Sequence, residues 1–345
     1  MEYPQQTFAS AYAAPLQGRF RIEPADFQVD EQMDIALSGS GEHLWLLVRK
    51  TGANTDWVAK QLAMCAGVAA KDVGYAGLKD RHAVTTQWFS LQLPGIADPD
   101  FSVLPAEITV LQAVRHDKKL KRGALTANHF QLVLREVRGD LAEAGTIWQQ
   151  IGTGGVPNYF GEQRFGHGFG NLRKAEVWFS GSFKPKQRNQ RSLYLSAARS
   201  WLFNHVLSAR IAQGNWNQAT AGDVFMFDGG QGWFVDDGSA DLQARVAAQM
   251  IHPTGMLWGR GELSSQQAIA ELEGTVAAQF PVFCAGLEKQ GLKQERRALR
   301  VRVTTEAFEV LGDATVRLAF SLPAGAYATV VLAQLGQFTA PAVKG

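Results

Sequence analysis

Strand-forming patterns occupy both ends of this chain and helix-forming patterns fill its middle. That order most constrains what it can fold into. Phe27, Val29 and Glu31 alternate with Gln28 and Asp30, the period of a half-buried strand. Leu44 to Val48 is an apolar run too short for a typical helix and reads as a buried strand. Asn54-Thr55-Asp56 offers N-cap candidates for a helix that ends near Gly67. Val84 to Leu93 is β-branched and aromatic, as strands prefer, and strand patterns recur over 108–137. An amphipathic helix follows over 140–152. From residue 154 the chain turns glycine-rich, and helices are expected over 192–212, 239–250 and 264–279, the last opened by a capping box, Ser264-x-x-Gln267. Strands return at 298–304 and 314–322, before a helix over 327–335. The order implies an α+β protein, with a strand-rich domain (1–153 plus 301–345) interrupted by a mostly helical insertion (154–300).

Length and composition narrow the function. The 345 residues suit one very large core or two moderate ones, and 46% hydrophobic with 19% charged residues is an ordinary globular balance. Two distant cysteines, Cys65 and Cys284, make neither a disulfide framework nor a CxxC pair, so a structural zinc site is not expected. No apolar stretch is long enough to span a bilayer, and the first residues lack the basic start of a secretory signal, so a cytoplasmic protein is expected. Net charge is only +2, so a nucleic-acid partner must be argued from where the charges lie.

The most informative segment is Gly74 to Gln87, GYAGLKDRHAVTTQ. One strand delivers a polar loop holding Lys79, Asp80, Arg81 and His82, and a second strand leads away, so an acid there can be held with fixed aim. By itself a Lys-Asp dipeptide is usually a solvated surface pair.

The pattern Gly77-x-Lys79-Asp80-Arg81-x-Ala83-x-Thr85-x-Gln87 resembles the signature of the TruD family of tRNA pseudouridine synthases. Further resemblances follow in chain order: Asn128-His129-Phe130, the run Gly155 to Gly166, Arg199 in SAARSWLFN, and Leu322 to Thr329. One departure is Tyr327, where phenylalanine is expected and a packing role is read. The resemblance implies a mixed or antiparallel-sheet pseudouridine synthase catalytic domain carrying an inserted α/β domain, mostly helical. It implies isomerisation of uridine in tRNA, at position 13 in the D-stem region, with Asp80 as the catalytic carboxylate. Breaking the glycosidic bond builds positive charge at C1′, which an ionised carboxylate stabilises or attacks; abstraction of the 2′ proton is the other route, and the sequence leaves both open. The reaction is redox-neutral and loses no atoms, so neither cofactor nor metal is expected.

Supporting roles follow from the same resemblance. Arg21, where relatives often carry lysine, is the cation expected beside Asp80. Phe130 is the stacking candidate for a flipped-out base, Asn128 a hydrogen-bonder that positions the loop or the nucleotide, Phe27 a pocket-lining residue, and Lys79 a contact to phosphate or loop. His82 is read as a structural hydrogen-bonder. Three basic clusters stand out. Arg115, Lys118, Lys119, Lys121 and Arg122 precede Asn128. Lys184, Lys186, Arg188 and Arg191 open the helical region. Lys289, Lys293, Arg296, Arg297, Arg300 and Arg302 close it. All are candidates for tRNA phosphate, which would make binding salt-dependent. No protein partner and no membrane is implied, and a monomer is expected.

Overall fold

The computed structural model describes residues 8–341, and they fall into two compact units. One comprises Ala14–Gln149 and the described residues from Val303 onward; the other comprises Gln150–Arg302 and the described residues before Ala14. The architecture is α+β. The sequence reading put every residue up to 153 with the strand-rich domain, but residues 8–13 cluster with the insertion. Their aromatic rings account for this. Phe8 stacks on Tyr159, and the Tyr12 hydroxyl donates to the Gly155 carbonyl at 2.7 Å.

The first unit begins with strands β1 (Leu16–Phe20), β2 (Phe27–Gln32) and β3 (His43–Thr51), then helix α1 (Thr55–Ala66). Strands β4 (Gly74–Tyr75), β5 (Val84–Gln92), β6 (Ile108–His116) and β7 (Ala127–Gly139) follow, then α2 (Leu141–Gly154). The second unit contributes β8 (Val156–Pro157), α3 (Gly170–Phe179), α4 (Arg188–Ala212), β9 (Val224–Phe227), β10 (Trp233–Val235) and α5 (Leu242–Ala247). It continues through β11 (Ile251–Leu257), α6 (Gln267–Gln279), α7 (Pro281–Lys289), β12 (Glu295–Ala298) and β13 (Arg300–Val301). The chain then returns to the first unit as β14 (Thr304–Gly312), β15 (Thr315–Pro323), α8 (Ala328–Leu335) and β16 (Gly336–Thr339).

The first unit is built on a mixed ten-stranded sheet whose main path runs β14-β15-β7-β2-β5-β3-β6. Its neighbours are antiparallel except β2 with β5 and β1 with β16. On β3, Leu44, Leu46 and Val48 share a face and pack under Val58, Ala59 and Leu62 of α1. Leu62 is fully buried, and truncating such a leucine to alanine costs about 2–5 kcal/mol. The register of β2 on β7 sets the site: Phe27 lies opposite Leu132, Val29 opposite Phe130, and Glu31 opposite Asn128.

The second unit packs α3, α4, α6 and α7 around a core that includes Trp201, Leu202, Phe283 and Leu287. Its four-stranded sheet, β10-β9-β11-β12, escaped the sequence reading, as did α3 and α7. Three of its strands, β9, β10 and β12, have only three or four residues, too short to display an alternating period. Helix α4 starts at Arg188, earlier than expected, and the helix expected over 239–250 contracts to Leu242–Ala247. The capping box at Ser264 does not form. Helix α6 takes Gln266 as its N-cap without a side-chain bond, and the neighbouring Ser265 hydroxyl donates to Glu273 at 2.6 Å. Glu273 is fully buried and also accepts from Met256 N and Arg296, so the serine beside it answers an internal charge rather than the helix end.

Candidate active site

Asp80 lies on the loop between β4 and β5, and two anchors hold that loop. Gly74 is the first. A Cβ there would stand 2.5 Å from the Leu120 carbonyl oxygen and 2.6 Å from Ser90 Oγ, so the close approach of the chain at β4 requires glycine. Thr55 is the second. Read as a cap candidate, it makes no helix cap; its hydroxyl accepts from Lys79 N at 2.9 Å and donates to Gln87 Oε1 at 3.0 Å. Gln87 Nε2 in turn donates to the Gly77 carbonyl at 3.1 Å. Two residues of the signature, Gln87 and Gly77, therefore brace the loop from within.

The Asp80 carboxylate is half exposed, and Arg21 Nη2 donates to its Oδ2 at 2.6 Å. Arg21 follows the end of β1 with a φ of 59°, a left-handed conformation that costs a non-glycine residue roughly 1–2 kcal/mol. Such a residue persists where its surroundings over-determine it. Here the guanidinium lies 3.8 Å over the Phe27 ring while it reaches Asp80. Its Nε is buried without a hydrogen-bond partner among the described residues.

Phe27 meets Phe130 edge-on, with ring centroids 6.1 Å apart. Phe130 is 6% exposed and stacks on Phe320 at 5.3 Å. Asn128 shares the buried face of β7 with Phe130, and its Oδ1 is buried without a partner among the described residues. Across the register from Asn128 stands Glu31, fully inward, which accepts from Lys79 Nζ at 2.9 Å and from Trp88 N at 3.0 Å. Lys79 adjoins Asp80, so the circuit closes. Asp80, Arg21, Phe27, Phe130, Asn128, Glu31 and Lys79 form one continuous ring across β2, β7 and the loop. The structure thus brings together every substrate-side residue named from the sequence. Lys79 is tied to an internal carboxylate rather than presented to solvent. His82 and Arg81 are exposed.

Sequence reasoning missed Glu31 and Lys50 as members of this site. Lys50 is fully buried, and its ammonium donates to the carbonyls of Ala53 at 2.7 Å and Asp80 at 2.8 Å. Burial pulls its pKa down to about 8, partly offset by the negative charge of Asp80. A signal was present: Lys50 has the same strand parity as Leu44, Leu46 and Val48, so it faces the core at the end of an apolar row.

The first basic cluster divides. Arg115 donates through Nε, Nη1 and Nη2 to Asp98 and to the carbonyls of Leu93 and Ile96, so its guanidinium fastens a loop. Lys118 and Lys121 are exposed. Lys119 and Arg122 line a cavity of about 370 Å³ beside β4, with Lys71 and Tyr75. The Arg122 guanidinium covers the Tyr75 ring at 3.6 Å. The third cluster is largely structural. Arg296 pairs with buried Glu273, Arg300 bonds His252 and backbone carbonyls, and Arg297 lies 4.0 Å over the Phe160 ring. Tyr327, expected to pack, is 72% exposed. Among the described residues no group of three His, Cys, Asp or Glu side chains is placed to hold a metal ion. No helix among them is long and apolar enough to cross a membrane.

The profile of the family described as tRNA pseudouridine synthase D (TruD) matches this chain over residues 6–174 and 169–335. The chain belongs to the TruD family. The tRNA pseudouridine synthase D of Hydrogenovibrio crunogenus is 53% identical over 95% of this chain and 95% of its own. That of Methylococcus capsulatus is 51% identical, over 93% and 91% respectively. A crystal structure of a Methanosarcina mazei protein assigned to TruD superposes with a TM-score of 0.73 at 21% identity, covering 95% of both chains, and so shares the fold. In this TruD-family chain the signature loop, the Asn-x-Phe strand and the residues after β15 meet in one unit. Leu322 pairs with Asn128, and Ala324 N donates to the Thr126 carbonyl at 3.1 Å.

Proposed function

We propose that this TruD-family enzyme isomerises uridine to pseudouridine at position 13 of tRNA, in the D-stem region, with Asp80 as the catalytic carboxylate. One observation carries the reading. Asp80 is the half-exposed carboxylate of the ring, with Oδ2 held by Arg21, while Oδ1 has no partner among the described residues and is the oxygen free to meet the sugar. In the reaction the N1–C1′ bond breaks, the uracil turns, a C5–C1′ bond forms, and the proton lost from C5 is balanced by one taken up at N1. Asp80 serves C1′ as the positive charge develops. Arg21 keeps the carboxylate aimed. Phe27, Phe130 and Asn128 form the wall against which a flipped base is held, its π-face on the aromatic side and its polar edge toward the unpaired Asn128 Oδ1. Lys79 stations the loop through Glu31. Lys118, Lys119, Lys121 and Arg122 supply phosphate contacts around the loop's base. The chemistry calls for no cofactor or metal, and the reading carries with it a monomer acting in the cytoplasm.

The test incubates wild type and Asp80→Asn with unmodified tRNA bearing uridine 13 and maps pseudouridine by carbodiimide labelling. Product at that position with wild type only, with tRNA still bound by the variant, is the expected result. Release of free uracil, or product from Asp80→Asn at the wild-type rate, would overturn the assignment.

A further inference from the structure

The helical unit holds a second cavity, of about 730 Å³, bounded by α3, the segment joining α3 to α4, and the start of α4. Its apolar surface comes from Val177, Phe183 and Tyr194, the last two with ring centroids 6.5 Å apart. Its rim carries Arg173, Lys174, Lys184 and Lys186, and among the described residues no carboxylate lines it. Lys174 Nζ stands 5.9 Å from the Tyr194 ring centre. Among the described residues Arg173, Lys184 and Lys186 have no ion-pair partner, unlike the arginines near residue 300. Phe183 is 39% exposed, an apolar ring left open to solvent between two lysine-bearing walls.

We infer that this cavity is a second RNA subsite, which receives one unpaired nucleotide of the tRNA away from the reacting uridine. The inference rests on the tRNA reading above. Aromatic faces ringed by unpaired cations match a nucleotide on both counts: the rings stack on any base, and the rim neutralises the flanking phosphates. The volume lies within the roughly 300–1,000 Å³ of small-ligand sites. A base inside a duplex presents no π-face, so the occupant comes from a loop or an end. The basic run KPKQRNQR, read from the sequence as a phosphate contact, thereby becomes one wall of a pocket with an aromatic floor.

The test measures tRNA binding and modification by Phe183→Ala, Phe183→Trp and the double variant Lys184→Gln/Lys186→Gln. Phe183→Ala should weaken binding about tenfold, the loss appearing in KM more than in kcat. Phe183→Trp should restore affinity, and its fluorescence should be quenched when tRNA or a short single-stranded oligouridylate is added, but not with an RNA duplex. The double lysine variant should flatten the plot of log affinity against log salt by about one to two. Unchanged affinity and slope, or an unquenched tryptophan, would sink the subsite. So would a cavity that binds polyglutamate without competition from tRNA, since its occupant would then be an acidic protein segment. The two readings fail separately. Pseudouridine formed by wild type with pocket variants that bind normally removes only this inference, whereas no pseudouridine from wild type removes the reading it rests on.

Discussion

Arg21 and Asp80, 59 residues apart in the chain, meet through a single hydrogen bond of 2.6 Å. The same guanidinium lies 3.8 Å over the Phe27 ring, so one strained residue joins the carboxylate to the aromatic wall. Arg21→Ala should cut single-turnover rate on tRNA by about a hundredfold, as losing one aimed charged partner does, while tRNA affinity changes little. Arg21→Lys should recover part of the rate. A loss confined to binding would show that Arg21 contacts RNA instead.

Asp80→Asn should abolish turnover yet leave the melting temperature almost unmoved. The carboxylate is half exposed, and exposed ion pairs contribute about 0–1 kcal/mol. Calorimetry on the variant separates the two effects: a large drop in stability alongside lost activity would make Asp80 a structural residue.

Lys50 offers a test through pH. Its folded pKa, near 8, lies below the unfolded value of 10.5, so between these values the unfolded chain holds the extra proton. Folding stability from this group therefore rises as pH climbs through that window, and the cost of the buried charge is fully present below it. Lys50→Met removes the dependence. The difference in melting temperature, wild type minus variant, should grow between pH 8 and pH 10. Turnover should fall in the variant because the Asp80 carbonyl loses its donor. A flat difference across the window would show that the ammonium is not desolvated.

Phe130 belongs both to the core and to the proposed base-binding wall. Phe130→Ala, which opens a cavity against Phe320, should cost about 3–5 kcal/mol by denaturant unfolding. Phe130→Leu keeps most of the volume and should fold, so its rate reads the stacking role. Wild-type turnover in the folded leucine variant would leave Phe130 with a packing role alone.

The basic cluster before Asn128 should split in a salt titration. Replacing Lys118, Lys121 and Arg122 by glutamine should flatten the plot of log affinity against log salt by about two to three. Arg115→Gln should leave that slope unchanged and lower stability instead, because three of its nitrogens hold the 93–98 loop. A slope that responds equally to Arg115 would place its guanidinium on phosphate.

The sequence by itself determined the local pieces: the Gly74–Gln87 loop, the alternation that turns Phe27 and Glu31 inward, and the order of strands and helices. Each depends on residues close in the chain, so their spacing displays them. The tertiary structure alone decided which charges are free and which are spent. Arg115, Arg296 and Arg300 read like Lys118 or Lys184 in the sequence, yet their partners lie far along the chain, and a hydrogen-bonded guanidinium is not available to phosphate. It also decided that Arg21 takes a left-handed turn to reach Asp80 and that Tyr327 stays outside the core. The first follows from strands brought side by side by register, which no local pattern fixes, and the second from where the chain enters α8.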